Sequence, residues 1–192
     1  MNNKKIIVID NYDSFVYNLV HYIEILTGQR PDVFRNDEIT LEAVGDYEKI
    51  LLSPGPGIPS EAGIILNIIK KYSSTHSIFG VCLGHQAIGE AFGGKLINLD
   101  NVYHGVASKI KVVADNDSLY QGIPKEFLGG RYHSWAVAND QLPDCLLVTA
   151  IDESGLIMGL SHKLFNVQGV QFHPESVLTE YGMKIMENWL KT

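Results

Sequence analysis

One stretch of the chain gathers residues that can do chemistry. Ser77-Ile78-Phe79-Gly80-Val81-Cys82-Leu83-Gly84-His85-Gln86 is a short apolar run that ends in Gly80-x-Cys82-x-Gly84 and passes at once into a helix-like segment. This is the cysteine form of the G-x-S-x-G nucleophile elbow. Its flanking glycines suit a strand-to-helix turn too tight for neighbouring Cβ atoms. Such a turn lifts the Cys82 sulfur clear of the sheet and sets it at a helix N-terminus, whose partial positive charge favours a thiolate nucleophile. The same string also fits a buried cysteine at a strand–helix junction, because free cysteine is among the most buried residue types. A nucleophile needs a base and a pocket, and both must come from elsewhere in the chain.

Gln171-Phe172-His173-Pro174-Glu175 offers the base and something to orient it. The residue before a proline is pushed to extended backbone, where positions i and i+2 face the same way. His173 and Glu175 are therefore expected to project together from extended chain. A carboxylate beside an imidazole fixes its tautomer and favours the imidazolium, which in turn favours thiolate. On its own, His-Pro-Glu more often marks a turn with a solvated carboxylate. Beside an elbow cysteine it is the most economical base in the sequence. The third element is Ser53-Pro54-Gly55-Pro56-Gly57-Ile58-Pro59. Its prolines stiffen the loop and its glycines let main-chain N–H groups approach a ligand, so the N–H of Gly57 could join that of Leu83 as an oxyanion donor. Without the cysteine, the loop would read as a plain strand-to-helix connection.

The remaining histidines carry less. His85 is expected to lie beside the pocket without an orienting acid, and His133, ahead of Ser134 in a loop, could line it. His21, His76, His104 and His162 show no metal-ligand spacing with acids or cysteines, so no metal site is expected, and no cofactor is expected. Gly89 to Lys95 has the glycine and lysine spacing of a phosphate loop. However, Leu96 follows where Ser or Thr would ligate magnesium, and the glycines close a helix instead of opening one.

The elements that must position these residues follow from periodicity. Lys5 to Ile9 reads as a strand buried on both faces, followed by a helix from Phe15 to Leu26 that Gly28 ends. Val33-Phe34 and Ile50 to Leu52 are further strands, Ala62 to Tyr72 a helix, and Ile78 to Val81 the strand leading into the elbow. This alternation predicts an α/β fold, a mostly parallel twisted sheet flanked by helices in the doubly wound manner, with ligands at the carboxyl ends of the strands. After Gly94 the texture changes to short strands at 95–97, 109–113, 135–138, 146–150, 156–159 and 167–172. These are expected to make antiparallel additions and a return to the main sheet, before a terminal helix over 180–190.

At 192 residues with 45% apolar content, the chain is expected to form one domain, residues 1–192. Its net charge of −7 and lack of a basic cluster argue against nucleic acid or an anionic membrane as partner. Two cysteines in a chain of this size suit a reducing compartment. The Met-Asn-Asn-Lys-Lys start, with only Ile6 to Ile9 apolar behind it, is too short for a secretory signal, and a cytoplasmic location is expected. Asn116-Asp117-Ser118 then matches the glycosylation pattern by chance.

Ser53-Pro54-Gly55-Pro56-Gly57, Gly80-Val81-Cys82-Leu83-Gly84-His85-Gln86 and His173-Pro174-Glu175 occur in an order and at intervals that resemble the class I (triad-type) glutamine amidotransferases. Asp10-Asn11-Tyr12-Asp13-Ser14-Phe15 and the Pro-Gly-Pro-Gly loop narrow the resemblance to the glutaminase subunits of anthranilate synthase and aminodeoxychorismate synthase. The resemblance implies that Cys82 attacks the glutamine side-chain amide to give a γ-glutamyl thioester. His173, oriented by Glu175, would move the proton. It implies a glutamine pocket lined by Gly55, Pro56, Gly57, Leu83, Gln86, Ser134 and Trp135. It also implies that ammonia passes to a large chorismate-aminating partner subunit. Two positions depart from the pattern: Trp135 stands where leucine is usual, and Val106-Ala107 follow His104-Gly105 where Lys-Thr is usual. The competing readings are a free-standing γ-glutamyl hydrolase and a catalytically silent regulatory subunit. The intact Cys82, His173 and Glu175 weigh against the silent one.

Overall fold

The computed structural model describes residues 5–192; the Met-Asn-Asn-Lys lead-in lies outside the described residues. The order of elements is β1 (Ile6–Asp10), α1 (Val16–Thr27), β2 (Asp32–Arg35), α2 (Leu41–Val44), β3 (Lys49–Leu52), α3 (Ile65–Tyr72), β4 (Ser77–Val81) and α4 (Leu83–Ala91). Then come β5 (Leu96–Asn98), β6 (Val106–Val112), β7 (Glu126–Arg131), β8 (Trp135–Val137), β9 (Leu146–Asp152), β10 (Ile157–His162), β11 (Val167–Val170) and α5 (Gly182–Lys191). Nine strands form one sheet in the order β2-β1-β3-β4-β11-β10-β9-β6-β7. Strands β2, β1, β3, β4 and β11 run parallel, and the pairs from β11 outward to β7 are antiparallel. The sheet thus joins a doubly wound parallel half to an antiparallel extension, with β5 and β8 as a separate two-stranded ribbon.

Alternation within the strands explains the layering. Ile6 and Val8 of β1 pack with Val16, Leu19, Val20 and Ile23 of α1 and with Ile185, Met186 and Trp189 of α5. Ile7 and Ile9 point the other way, into a second cluster with Ile65, Ile68 and Ile69 of α3 and Ala87 and Ile88 of α4. A strand apolar on both faces must be covered on both, and burying each such isoleucine contributes roughly 1.5–3 kcal/mol. No helix among the described residues is long and apolar enough to cross a membrane.

Strand β7 is not legible in the sequence because Gly129-Gly130 interrupts its pattern. The fold needs both glycines. A Cβ on Gly129 would press on Ile110 and Phe172, and one on Gly130 on Ser176 and Leu178. The helix expected from Ala62 is also delayed, with a 3-10 turn at Pro59–Glu61 and regular helix only from Ile65. For the site, one consequence of the topology dominates. The carboxyl ends of β1, β3, β4 and β11 lie side by side, so residues 10–15, 53–57, 82–86 and 171–175 leave the sheet at one edge.

Candidate active site

Cys82 follows β4 and caps α4 with φ 50° and ψ −99°, a left-handed conformation that a side chain rarely adopts. The neighbouring glycines are required by contact. A Cβ on Gly80 would collide with the backbone of Gly84, and one on Gly84 with the carbonyl of Leu52 in β3. The turn therefore closes only with glycine on both sides of the cysteine. It leaves the Cys82 side chain nearly buried, at the first turn of α4. The amide of Leu83 is the first of that helix, one of the N-terminal donors with no intrahelical partner.

The 53–57 loop is pinned from β1. Asn11 N–H donates to Ser53 Oγ at 2.8 Å and Asn11 Nδ2 to the Ser53 carbonyl at 2.8 Å, while Asn11 Oδ1 accepts from Asn36 Nδ2 at 3.0 Å. Gly55 is wedged between Asn11 and Leu83, where a Cβ would meet both. Gly57 takes φ +74°. This clamp is what holds the loop against the helix N-terminus, and sequence reasoning passed over Asn11 although it sits in the Asp10–Phe15 motif.

His173 and Glu175 meet, though not through extended chain. Ser176 N–H donates to the His173 carbonyl at 3.2 Å and closes a turn, with Pro174 at its second position. His173 itself bridges Gly130, donating its N–H to that carbonyl at 2.9 Å. Thr179 Oγ1 donates to the His173 carbonyl at 2.6 Å. Within this frame His173 Nδ1 lies 2.6 Å from Glu175 Oε1, both side chains being buried. The ring is held by Tyr132 (centroids 4.8 Å apart) and Phe15 (6.0 Å, edge-on). Burial disfavours the imidazolium, but the charge of the Cys82 sulfur and the Glu175 carboxylate outweigh it, holding the His173 pKa well above the usual histidine range. A hydrogen bond with the Cys82 sulfur adds to that rise.

A cavity of about 130 Å³ opens on the sulfur, lined by Gly55, Pro56, Gly57, Cys82, Gln86, Tyr132, His133, Ser134 and Trp135. All the expected pocket residues line it except Leu83, which contributes position at the helix start. Tyr132 joins them unforeseen: an aromatic between two polar residues gives no periodic signal, and its place depends on β7. Gln86 Nε2 donates to the Trp135 carbonyl at 2.8 Å, so this wall is made by main chain whatever side chain stands at 135. His133 Nε2 accepts from Arg131 Nε at 3.1 Å, leaving Nδ1–H to donate to the same Trp135 carbonyl at 2.8 Å. Burial, aided by the Arg131 charge, pushes the His133 pKa down to about 4. Arg131 is buried and ion-paired with Asp152 at 2.6 Å. His85 does not lie beside the pocket. It is wholly buried in α4, packed close to Gly169 of β11, and burial pushes its pKa down to about 3.

An elbow cysteine, an acid-backed histidine and a small cavity at the carboxyl edge of a doubly wound sheet are the parts that a cysteine-dependent acyl-transfer site requires. The chain matches glutamine amidotransferase class-I over residues 7–192, and it belongs to that family. Among its relatives, the Bifunctional protein TrpGD of Thermotoga maritima is 49% identical over 190 residues, covering 97% of this chain and 32% of that protein. The chain therefore spans about a third of that relative. The Aminodeoxychorismate/anthranilate synthase component 2 of Bacillus subtilis is 42% identical over 189 residues, covering 97% of this chain and 96% of its own. In structure, the chain resembles a protein from Thermoplasma acidophilum assigned to GMP synthase, with a TM-score of 0.85 at 26% identity over 98% of this chain and 92% of that one.

Proposed function

We propose that the chain, as a single glutamine amidotransferase domain over residues 1–192, hydrolyses L-glutamine and delivers the ammonia to a chorismate-aminating large subunit, in anthranilate synthesis. The observation that carries this is the buried His173–Glu175 pair beside a strained Cys82 at a helix N-terminus. Cys82 Sγ attacks the side-chain amide carbon, and the oxyanion is met by the N–H groups of Leu83 and Gly57. The His173 imidazolium then protonates the amide nitrogen, and the C–N bond breaks to leave the thioester and ammonia. His173 next takes a proton from water, which attacks the thioester carbonyl and releases glutamate and the Cys82 sulfur. A cavity this small admits a glutamine side chain in preference to a peptide. The same site with an aminodeoxychorismate partner is the second reading, and the Bacillus relative's name covers both syntheses. A cytoplasmic location fits a subunit whose substrates are metabolites.

The partner surface we propose is the 102–107 segment. Leu99, Tyr103 and Gly105 donate their N–H groups to the carbonyls of Ser134, His133 and Arg131, so the segment is laced to the pocket wall. Val102 and Val106 project into solvent, and the His104 ring stands edge-on to Tyr132, which packs on His173. A partner seated on this segment would bear on His173 through the His104–Tyr132 contact, a coupling typically worth 1–3 kcal/mol. The test is glutamine hydrolysis and chorismate amination with and without an anthranilate synthase large subunit, for wild type and Cys82→Ser. Cys82→Ser should lose glutamine-dependent amination and keep ammonia-dependent amination by the partner. Full turnover without any partner would favour a free-standing hydrolase instead.

A further inference from the structure

Gln171 touches the sulfur that the proposed mechanism uses. It is wholly buried at the end of β11, and its Nε2 lies 3.6 Å from Cys82 Sγ. Its Oε1 accepts from Gln86 Nε2 at 3.2 Å, and Gln86 Nε2 also donates to the Trp135 carbonyl. The polarity of this chain of hydrogen bonds is determined by its far end. A main-chain carbonyl can only accept, so the Gln86 amide nitrogen must face Trp135. The amide oxygen of Gln171 must then face that nitrogen, and the Gln171 N–H₂ group is left for the sulfur. Both N–H groups of Gln86 are thereby used, leaving its Oε1 as the free acceptor on a residue that lines the cavity. The main chain reinforces the arrangement, since Gln171 N–H donates to the Met158 carbonyl of β10 at 3.0 Å.

We propose that Gln171 is a catalytic residue, donating an N–H···S hydrogen bond that orients and stabilises the Cys82 thiolate and couples it to the substrate wall through Gln86. Without it, the sulfur would be held only by its own strained backbone and by His173. The titratable groups around the sulfur are His173 with Glu175 behind it, and His133 with Arg131 and Asp152 behind it; His85, from α4, is neutral. His173 is the charged partner of the sulfur, whereas the Gln171 amide is an uncharged donor and acts without titrating.

The inference rests on the reading of Cys82 as nucleophile, and the test separates the two. Iodoacetamide labelling of the full chain is followed by mass spectrometry from pH 5 to 10, for wild type, Gln171→Met and Gln171→Glu, with thermal unfolding as the folding check. Gln171→Met removes the donor at similar volume. The midpoint of Cys82 alkylation should then rise by about one pH unit, a tenfold loss of rate below it. Gln171→Glu keeps an acceptor for Gln86 and adds negative charge, and should shift the midpoint the same way. Glutaminase kcat/KM should fall in both. An unchanged midpoint in either folded variant would overturn the role of Gln171 while leaving Cys82 in place. Failure of wild-type Cys82 to react ahead of Cys145 would overturn the nucleophile reading, and this proposal with it.

Discussion

The elbow strain can be measured by comparing two substitutions that both remove the sulfur. At φ 50° and ψ −99°, Cys82 occupies a region where a Cβ costs about 1–3 kcal/mol. Cys82→Ala keeps that Cβ, whereas Cys82→Gly removes it. Glycine carries its own penalty, roughly 0.5–1 kcal/mol of extra freedom in the unfolded chain. The difference leaves Cys82→Gly the more stable of the two by about 1 kcal/mol. For a domain of this size that is a rise of about 2–4 °C in Tm. Scanning calorimetry on the two variants, with urea midpoints as a second measure, reads the difference directly, since neither carries the thiol. The ordinary expectation at a buried position is the reverse, with alanine ahead. If Cys82→Ala melts at or above Cys82→Gly, the backbone at Cys82 is relaxed and the strained elbow is refuted.

Glu175→Gln should lower glutamine-dependent turnover by up to about four orders of magnitude, because it no longer selects the His173 tautomer, yet leave more activity than Cys82→Ala; activity equal to wild type would remove Glu175 from the site. Trp135→Leu should change the KM for glutamine by less than about threefold, since Gln86 reaches residue 135 through its carbonyl; a larger loss in steady-state assays would show that the indole itself shapes the pocket. Acid stability should follow the buried neutral histidines. His85 and His133 hold off protonation to about 3 and about 4 when folded, from a starting value of 6.5, so between these limits the unfolded chain binds more protons. Stability is therefore full above about pH 6.5 and falls as pH drops, His85 accounting for a loss on the order of 3 kcal/mol by pH 4.5. The urea midpoint of His85→Gln should fall less steeply with pH across that window, and a parallel curve would refute the assignment.

What the chain carries locally was enough to outline the fold and to point to the candidate site. Strands buried on two faces write themselves as Ile6 to Ile9 and Ile50 to Leu52, because every position must be apolar. The elbow writes itself as glycines around Cys82, because the turn excludes Cβ atoms on both sides. His173 and Glu175 stand two residues apart, so acid and base are neighbours in sequence, although the turn that joins them is framed by Gly130 and Thr179. Each of these is a constraint within a few residues, and such constraints leave a mark in sequence.

What depends on distant partners left no such mark. The double glycine of β7 looks like a loop until Ile110, Phe172, Ser176 and Leu178 are seen to crowd it. Asn11 is one polar residue among several until Ser53 and Asn36 close around it. His85 has the same local neighbours whether its ring faces the pocket or the sheet; the packing of α4 on β11 decides for the sheet. The tautomer of His133 and the orientation of Gln171 are settled by Arg131 and by the Trp135 carbonyl, groups that can respectively only donate and only accept. Those relations join residues up to 89 positions apart, as Gln171 and Cys82 are. They exist only because the parallel half of the sheet brings the ends of β4 and β11 to the same edge.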